Sequence, residues 1–239
     1  MITKIMGSKK YNYCYGDSRY EKIESFNGIH RSEMNSEYHR TISTESITSD
    51  YVLVCGCSQS QGESVSLEKT YSSILQDLLE MPVYNISIGG SGCDFISKNI
   101  QEWILNFRIK PKHVIVQWSC PDSRMYYIKD QELYHLGPWT IDKNFRHNLW
   151  KKEYEFQSIY LSNIDKFSQL SINSRLELIE FLNLHKINFT EFKYGDFNKI
   201  FPNASSIENI DFGADGRHMG EKSHQNLAEI ISKMLHNII

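Results

Sequence analysis

Tyr51-Val-Leu-Val-Cys-Gly-Cys-Ser-Gln-Ser-Gln-Gly62 is the stretch that decides how this chain folds. Tyr51 to Cys55 is a short apolar run that stops at Gly56, the pattern of a strand buried on both faces. Ser58 follows within a turn bounded by Gly56 and Gly62. Beyond it Leu67, Tyr71, Ile74, Leu75, Leu78 and Leu79 recur at steps of three and four, which is one face of an amphipathic helix. The segment therefore reads strand, turn, helix.

The same alternation continues outward. Val83-Tyr-Asn-Ile86 reads as a second strand and leads into Gly89-Gly-Ser-Gly92. A second helix carries Ile96, Ile100, Trp103, Ile104 and Phe107 on one face, and Val114-Ile-Val-Gln-Trp118 reads as a third strand. Strands alternating with helices imply an α/β fold, a parallel sheet covered on both faces. Residues 152–185 are expected to be helical, in two segments parted near Ser171. Ile187–Phe192 is a candidate fourth strand. Leu227, Ile230, Ile231, Met234, Leu235 and Ile238 form the stripe of a last helix. Two regions break the pattern. Residues 1–50 are polar and Ser/Tyr-rich and read as an irregular arm packed on the domain. Residues 120–150 read as an irregular insertion at the end of the third strand. The chain is taken as one domain, 51–239, preceded by that arm.

In open parallel sheets, ligands bind beyond the carboxyl ends of the strands. Three features fall there: the turn around Ser58, the Gly89-Gly90 loop, and Ser119-Cys-Pro-Asp122. A fourth, Asp215-Gly-Arg-His218, precedes the last helix. Their chemistry is that of nucleophilic catalysis. A Ser hydroxyl needs a base to take its proton. His serves near neutral pH, and a carboxylate fixes its tautomer and stabilises the imidazolium. Asp215 and His218 are three residues apart, so one turn can set them side by side. The N–H groups of Ser58 and Gly90 can face a developing oxyanion. Each residue also has a plainer reading: Ser58 and Gly90 as turn residues, Asp215 and His218 as helix-entry residues.

Gly56-Cys57-Ser58-(three residues)-Gly62 resembles the first block of the SGNH (GDSL-type) hydrolases. Asn85-Ile-Ser-Ile-Gly-Gly90 is similar to their second block, and Asp215-Gly-Arg-His218 to their last. The resemblance runs from Tyr51 to the C-terminus. It implies a three-layer α/β/α, flavodoxin-like fold, with Ser58 as nucleophile, His218 as base, Asp215 as its orienter and the Gly90 N–H in the oxyanion hole. The chain departs from the family twice. Cys57 stands where Asp is usual. The third block, usually Gly-x-Asn-Asp with the Asn as an oxyanion donor, here reads Trp118-Ser-Cys-Pro-Asp-Ser-Arg124. Ser119 is a candidate substitute donor, and Arg124 a candidate substrate contact.

Other readings fit less well. Gly16-Asp17-Ser18 spells the family's nickname but follows no buried strand. The Gly89–Gly92 stretch lacks the dinucleotide spacing, and Ser60 stands where the α/β-hydrolase elbow needs Gly. Cys55, Cys57 and Cys93 match no standard zinc spacing and read as small buried residues. His224 reads as a surface or packing residue. Asn35–Arg40, shortly before the first strand, could fold over the site but reads more simply as a surface arm. The net charge of −3 supplies no field for nucleic acid or an anionic membrane, and no apolar run approaches a membrane span. The five cysteines form no disulfide framework, and no signal peptide is visible. A cytoplasmic setting is expected. No metal or organic cofactor is implied. The partner expected is a small-molecule or carbohydrate ester. Three functions stay open: a serine esterase, an O-acyltransferase using the same triad, and a binding protein on the same fold.

Overall fold

The computed structural model describes residues 6–10, 15–16, 24–26, 29–36, 39–41, 47, 49–130, 132–141, 151–194 and 197–236. In chain order the strands are β1 (Met6–Lys10), β2 (Tyr15–Gly16), β3 (Ser25–Phe26), β4 (Ile29–His30), β5 (Val52–Cys55), β6 (Val83–Asn85), β7 (His113–Trp118), β8 (Met125–Lys129), β9 (Glu132–Leu136), β10 (Asn188–Tyr194) and β11 (Ser205–Ile207). The helices are α1 (Ser58–Gln61), α2 (Tyr71–Leu79), α3 (Cys93–Asn106), α4 (Lys151–Asn163), α5 (Phe167–Leu184) and α6 (Glu221–Leu235).

The central sheet has the order β11-β10-β7-β5-β6, and every pair in it is parallel. Side chains alternate across it, as the pleat demands. Leu53, Cys55, Val114 and Val116 face one way and pack with Ile96, Ile100, Trp103, Leu178 and Leu182 of α3 and α5. Val52, Val54 and Ile115 face the other way, onto Tyr71, Leu75, Leu227, Ile231 and Leu235 of α2 and α6. The fold is thus α/β/α in three layers. From β5 the chain winds to β6 on one side and then crosses to β7 on the other. The crevice between β5 and β7 is the switch point where ligands of such sheets lie.

Differences from the sequence reading concern the less periodic segments. Part of the N-terminal arm is regular. β1 pairs with β9, β2 with β1, and β8 with β9 in an antiparallel sheet of order β2-β1-β9-β8. The insertion likewise contains the β8–β9 hairpin. Charges at Lys129, Asp130 and Glu132 mask its short alternations. The break in the helical region lies at Ile164–Lys166, not near Ser171. Ser171 sits within α5, and its hydroxyl donates to the Pro121 carbonyl at 2.8 Å, so a hydroxyl inside the helix marks a tertiary contact and no break. β11 has three residues, too few to show a period. Residues 142–150, 17–18 and 237–239 lie outside the described residues, so Asp17-Ser18 and Ile238 do too.

Candidate active site

Ser58 is the first residue of α1 and is 8% exposed. Its backbone N–H belongs to the first turn of a helix, which has no intrahelical acceptor. Each of the next three side chains in α1 ties it to a different neighbour. The Met219 N–H donates to Gln59 Oε1 at 2.8 Å, joining α1 to the loop of His218. Ser60 Oγ donates to Gln117 Oε1 at 3.1 Å and accepts from the Tyr71 hydroxyl at 2.9 Å. Gln117 Oε1 also accepts the Cys57 N–H at 3.3 Å, so β7 holds the turn into α1. The Gly89 N–H donates to Gln61 Oε1 at 2.7 Å, joining α1 to the glycine loop after β6. Asn85 Nδ2 adds a bond to the Ser60 carbonyl at 2.7 Å.

Behind α1 the backbone turns at Gly62, whose φ is +79°. A Cβ there would overlap the Thr70 side chain, so glycine is needed on both conformational and packing grounds. Arg40 grips this turn from the N-terminal segment. Its guanidinium donates to the carbonyls of Gln61, Gly62 and Val65 and pairs with Glu33 at 3.0 Å. Arg40 is 1% exposed, so it is no part of a surface arm. Four acceptors around one guanidinium explain how a charge is held there.

The Asp215–His218 turn lies between β11 and α6. Asp215 Oδ1 accepts the N–H groups of Arg217 and His218, at 2.9 and 3.0 Å. Asp215 Oδ2 lies 2.5 Å from His218 Nδ1, which favours the tautomer that carries its proton on Nδ1. Partial burial would raise the Asp215 carboxyl, but the bonds from His218, Arg217 and Ser64 outweigh it and hold it well below the usual carboxylate range. His218 Nε2 is 3.6 Å from Glu63 Oε2, a carboxylate only 3% exposed. No hydrogen bond joins His218 to Ser58 among the described residues.

On the opposite flank Gly90 has φ +87°, a region that favours glycine. Its N–H finds no acceptor among the described residues. At the end of β7, Ser119 is 2% exposed, and its Oγ accepts from Arg124 Nη1 at 2.8 Å. The structure thus joins Asp215 to His218 and Ser119 to Arg124, and ties both the His218 loop and the Gly89–Gly90 loop to the helix of Ser58. Cys55, Cys57 and Cys93 are buried. Among the described residues no group of three or more His, Cys, Asp or Glu is placed to hold a metal ion. No helix among them is long and apolar enough to cross a membrane. His224 is fully buried within the α2–α6 layer, its Nδ1 accepting the Tyr71 N–H at 3.0 Å.

Sequence reasoning missed Gln59, Gln61, Glu63, Gln117 and Arg40. Gln117 left a signal, a lone amide in the apolar run Val114–Trp118, since polar groups in buried strands need partners. Arg40 left none.

No protein-family model matches the chain, and no curated protein matches it. Solved structures do. The psychrotrophic esterase EstA of Pseudoalteromonas sp. matches with a TM-score of 0.50 at 11% identity, over 79% of this chain and 98% of that one. A member of the lipolytic G-D-S-L family from Veillonella parvula matches at 0.39 and 16% identity, over 79% and 99%. An acetyl xylan esterase of the rumen bacterium Butyrivibrio proteoclasticus matches at 0.48 and 14%, over 80% of this chain and 65% of that one. The likeness is one of fold: this chain shares the three-layer α/β/α fold of the esterase EstA.

Proposed function

We propose that the protein is a serine hydrolase of carboxylic esters that works through an acyl-enzyme, on a small-molecule or carbohydrate ester. The observation that carries this reading is the Asp215–His218 hydrogen bond, on a loop pinned by Met219 to the helix of Ser58. A Ser, a His and an Asp in that relation can perform acyl transfer whatever their order in the chain.

The steps follow from the donors and acceptors present. His218 Nε2 comes within reach of Ser58 Oγ and takes its proton as the oxygen attacks the acyl carbon. Asp215 stabilises the imidazolium through Nδ1, and buried Glu63 lies on the Nε2 side. The N–H groups of Ser58 and Gly90 take the oxyanion. The imidazolium returns the proton to the leaving alcohol, and the acyl group stays on Ser58. Water, deprotonated by His218, then releases the acid and restores the Ser58 hydroxyl. No metal or organic cofactor enters these steps.

Initial rates of p-nitrophenyl acetate hydrolysis test the reading, followed by acetylated sugars as a panel of natural leaving groups. Ser58→Ala and His218→Ala are each expected to lose about 10³-fold or more in kcat. A Ser58→Ala variant that keeps the wild-type rate would remove the acyl-enzyme from consideration.

A further inference from the structure

We infer that the Ser119 hydroxyl is a third oxyanion donor and that Arg124, seated on Trp139, sets it to donate; the inference rests on the esterase reading above. Register places the group. Cys55 of β5 pairs with Val116 of β7. Ser58 and Ser119 each lie three residues past that pair, so both stand beyond the strand ends on the two sides of the switch point. The Gly89–Gly90 loop flanks α1 from the other side, where the Ile88 N–H bonds to the Gly56 carbonyl.

The chemistry of the hydroxyl supports the role. A Ser hydroxyl has one O–H to give and two lone pairs to accept with. Arg124 Nη1 donates into one lone pair at 2.8 Å, a charge-assisted bond. This orients the hydroxyl so that its proton points away from the guanidinium, and it polarises the O–H. Among the described residues nothing accepts that proton, although Ser119 is 2% exposed. A buried O–H without an acceptor is costly, unless a ligand oxygen uses it.

The guanidinium is itself held. Its carbon lies 5.4 Å from the centre of the Trp139 ring, within cation–π range. Trp139 Nε1 donates to the His135 carbonyl at 3.3 Å, and the ring covers Gly137, where a Cβ would overlap it. The Arg124 backbone packs on Gly92, 3.0 Å from where a Cβ would sit, at the foot of the glycine loop. The segment after β7, which looked like an irregular insertion, thus carries a brace for the hydroxyl that stands at the end of that strand. Arg124 acts through Ser119 and is a positioning residue.

The test is kcat and KM for p-nitrophenyl acetate, with the rate of Ser58 phosphonylation by a fluorophosphonate as a second readout. Ser119→Ala is expected to lower kcat by about 10²–10³-fold with KM within about threefold of wild type. Arg124→Gln is expected to lower kcat about tenfold in the wild-type background and to have no effect in the Ser119→Ala background, since the two act as a unit. Ser119→Asn, which supplies a side-chain N–H of its own, is expected to recover activity relative to Ser119→Ala and to lose its dependence on Arg124. A merely structural role would lower stability alike in both backgrounds and leave the Asn variant sensitive to Arg124. A Ser119→Ala enzyme within threefold of wild-type kcat overturns this inference alone. A wild type that neither turns over nor labels at Ser58 overturns the esterase reading, and this inference with it.

Discussion

Replacing Gln61 by Met probes the link between the helix of Ser58 and the glycine loop. Gln61 is 1% exposed, and its Oε1 accepts the N–H of buried Gly89 at 2.7 Å. Met keeps the length of the side chain and its apolar stem but offers no strong acceptor there. The Gly89 N–H then stays buried and unpaired, at a cost of about 1–3 kcal/mol, or the loop moves to find water. At about 2–4 °C per kcal/mol for a chain of this size, melting should fall by about 2–12 °C. If the loop moves, the adjacent Gly90 N–H leaves the place where the proposed mechanism has it meet the oxyanion. The full loss of one such donor is worth about 10²–10³-fold in kcat, which bounds the effect. A fall of about 10–100-fold with KM nearly constant is expected. Urea unfolding followed by Trp fluorescence gives the stability, and p-nitrophenyl acetate kinetics give the rate. A variant that loses the expected stability yet keeps kcat would refute the claim that this bond positions the oxyanion loop. A variant with neither loss would refute the bond itself.

Three further outcomes follow from buried or paired groups. Asp215→Asn can still accept the Arg217 and His218 N–H bonds at Oδ1 but no longer fixes the imidazole as a carboxylate does, so kcat should fall about 10³–10⁴-fold, with a lower unfolding midpoint at neutral pH because the folded state favours the ionised carboxyl. Arg40→Met removes the donor shared by three carbonyls and Glu33; urea unfolding should show a loss of about 3–5 kcal/mol, and a loss under 1 kcal/mol would mean the clamp contributes little. Burial pushes the His224 imidazole down to about 4, below its unfolded value of about 6.5. The folded state therefore binds fewer protons between those values. His224 costs no stability through protonation above pH 6.5, and stability is lost as pH falls toward 4, by about 2 kcal/mol between pH 7 and 5. His113, also pushed down to about 4 by burial, acts in the same sense. Asp94, which burial pushes up to about 7 against its backbone hydrogen bonds, acts in the opposite sense. The comparison of wild type with His224→Gln isolates the one residue: the variant's stability should depend less on pH in that window, and an unchanged slope would contradict the assignment.

The fold was legible where burial imposes a period. Val52–Cys55, Val83–Asn85 and His113–Trp118 are strands buried on both faces, and α2, α3 and α6 carry apolar stripes, because each element packs on a whole layer. The β8–β9 hairpin and β1 were not, since they form a smaller sheet with charges interleaved among Tyr and Leu. Near Ser58 the sequence exposed residue types with an obvious chemistry, and the pairing of Asp215 with His218 follows from a three-residue turn. It did not expose Gln59 and Gln61, and it showed Gln117 only as a lone amide in an apolar run. Each bonds to groups remote in the chain, the Met219 N–H, the Gly89 N–H, or the Cys57 N–H and Ser60 hydroxyl, which the fold alone brings near. Arg40 belongs to the same class: a charge in a polar segment looks solvated until the carbonyls it meets are known.

The most direct test of the central claim is mass spectrometry of the intact, native protein after treatment with a fluorophosphonate. One adduct is expected, mapped by peptide sequencing to Ser58, absent in Ser58→Ala and formed far more slowly in His218→Ala. No adduct, or an adduct on another serine that persists in Ser58→Ala, would contradict it.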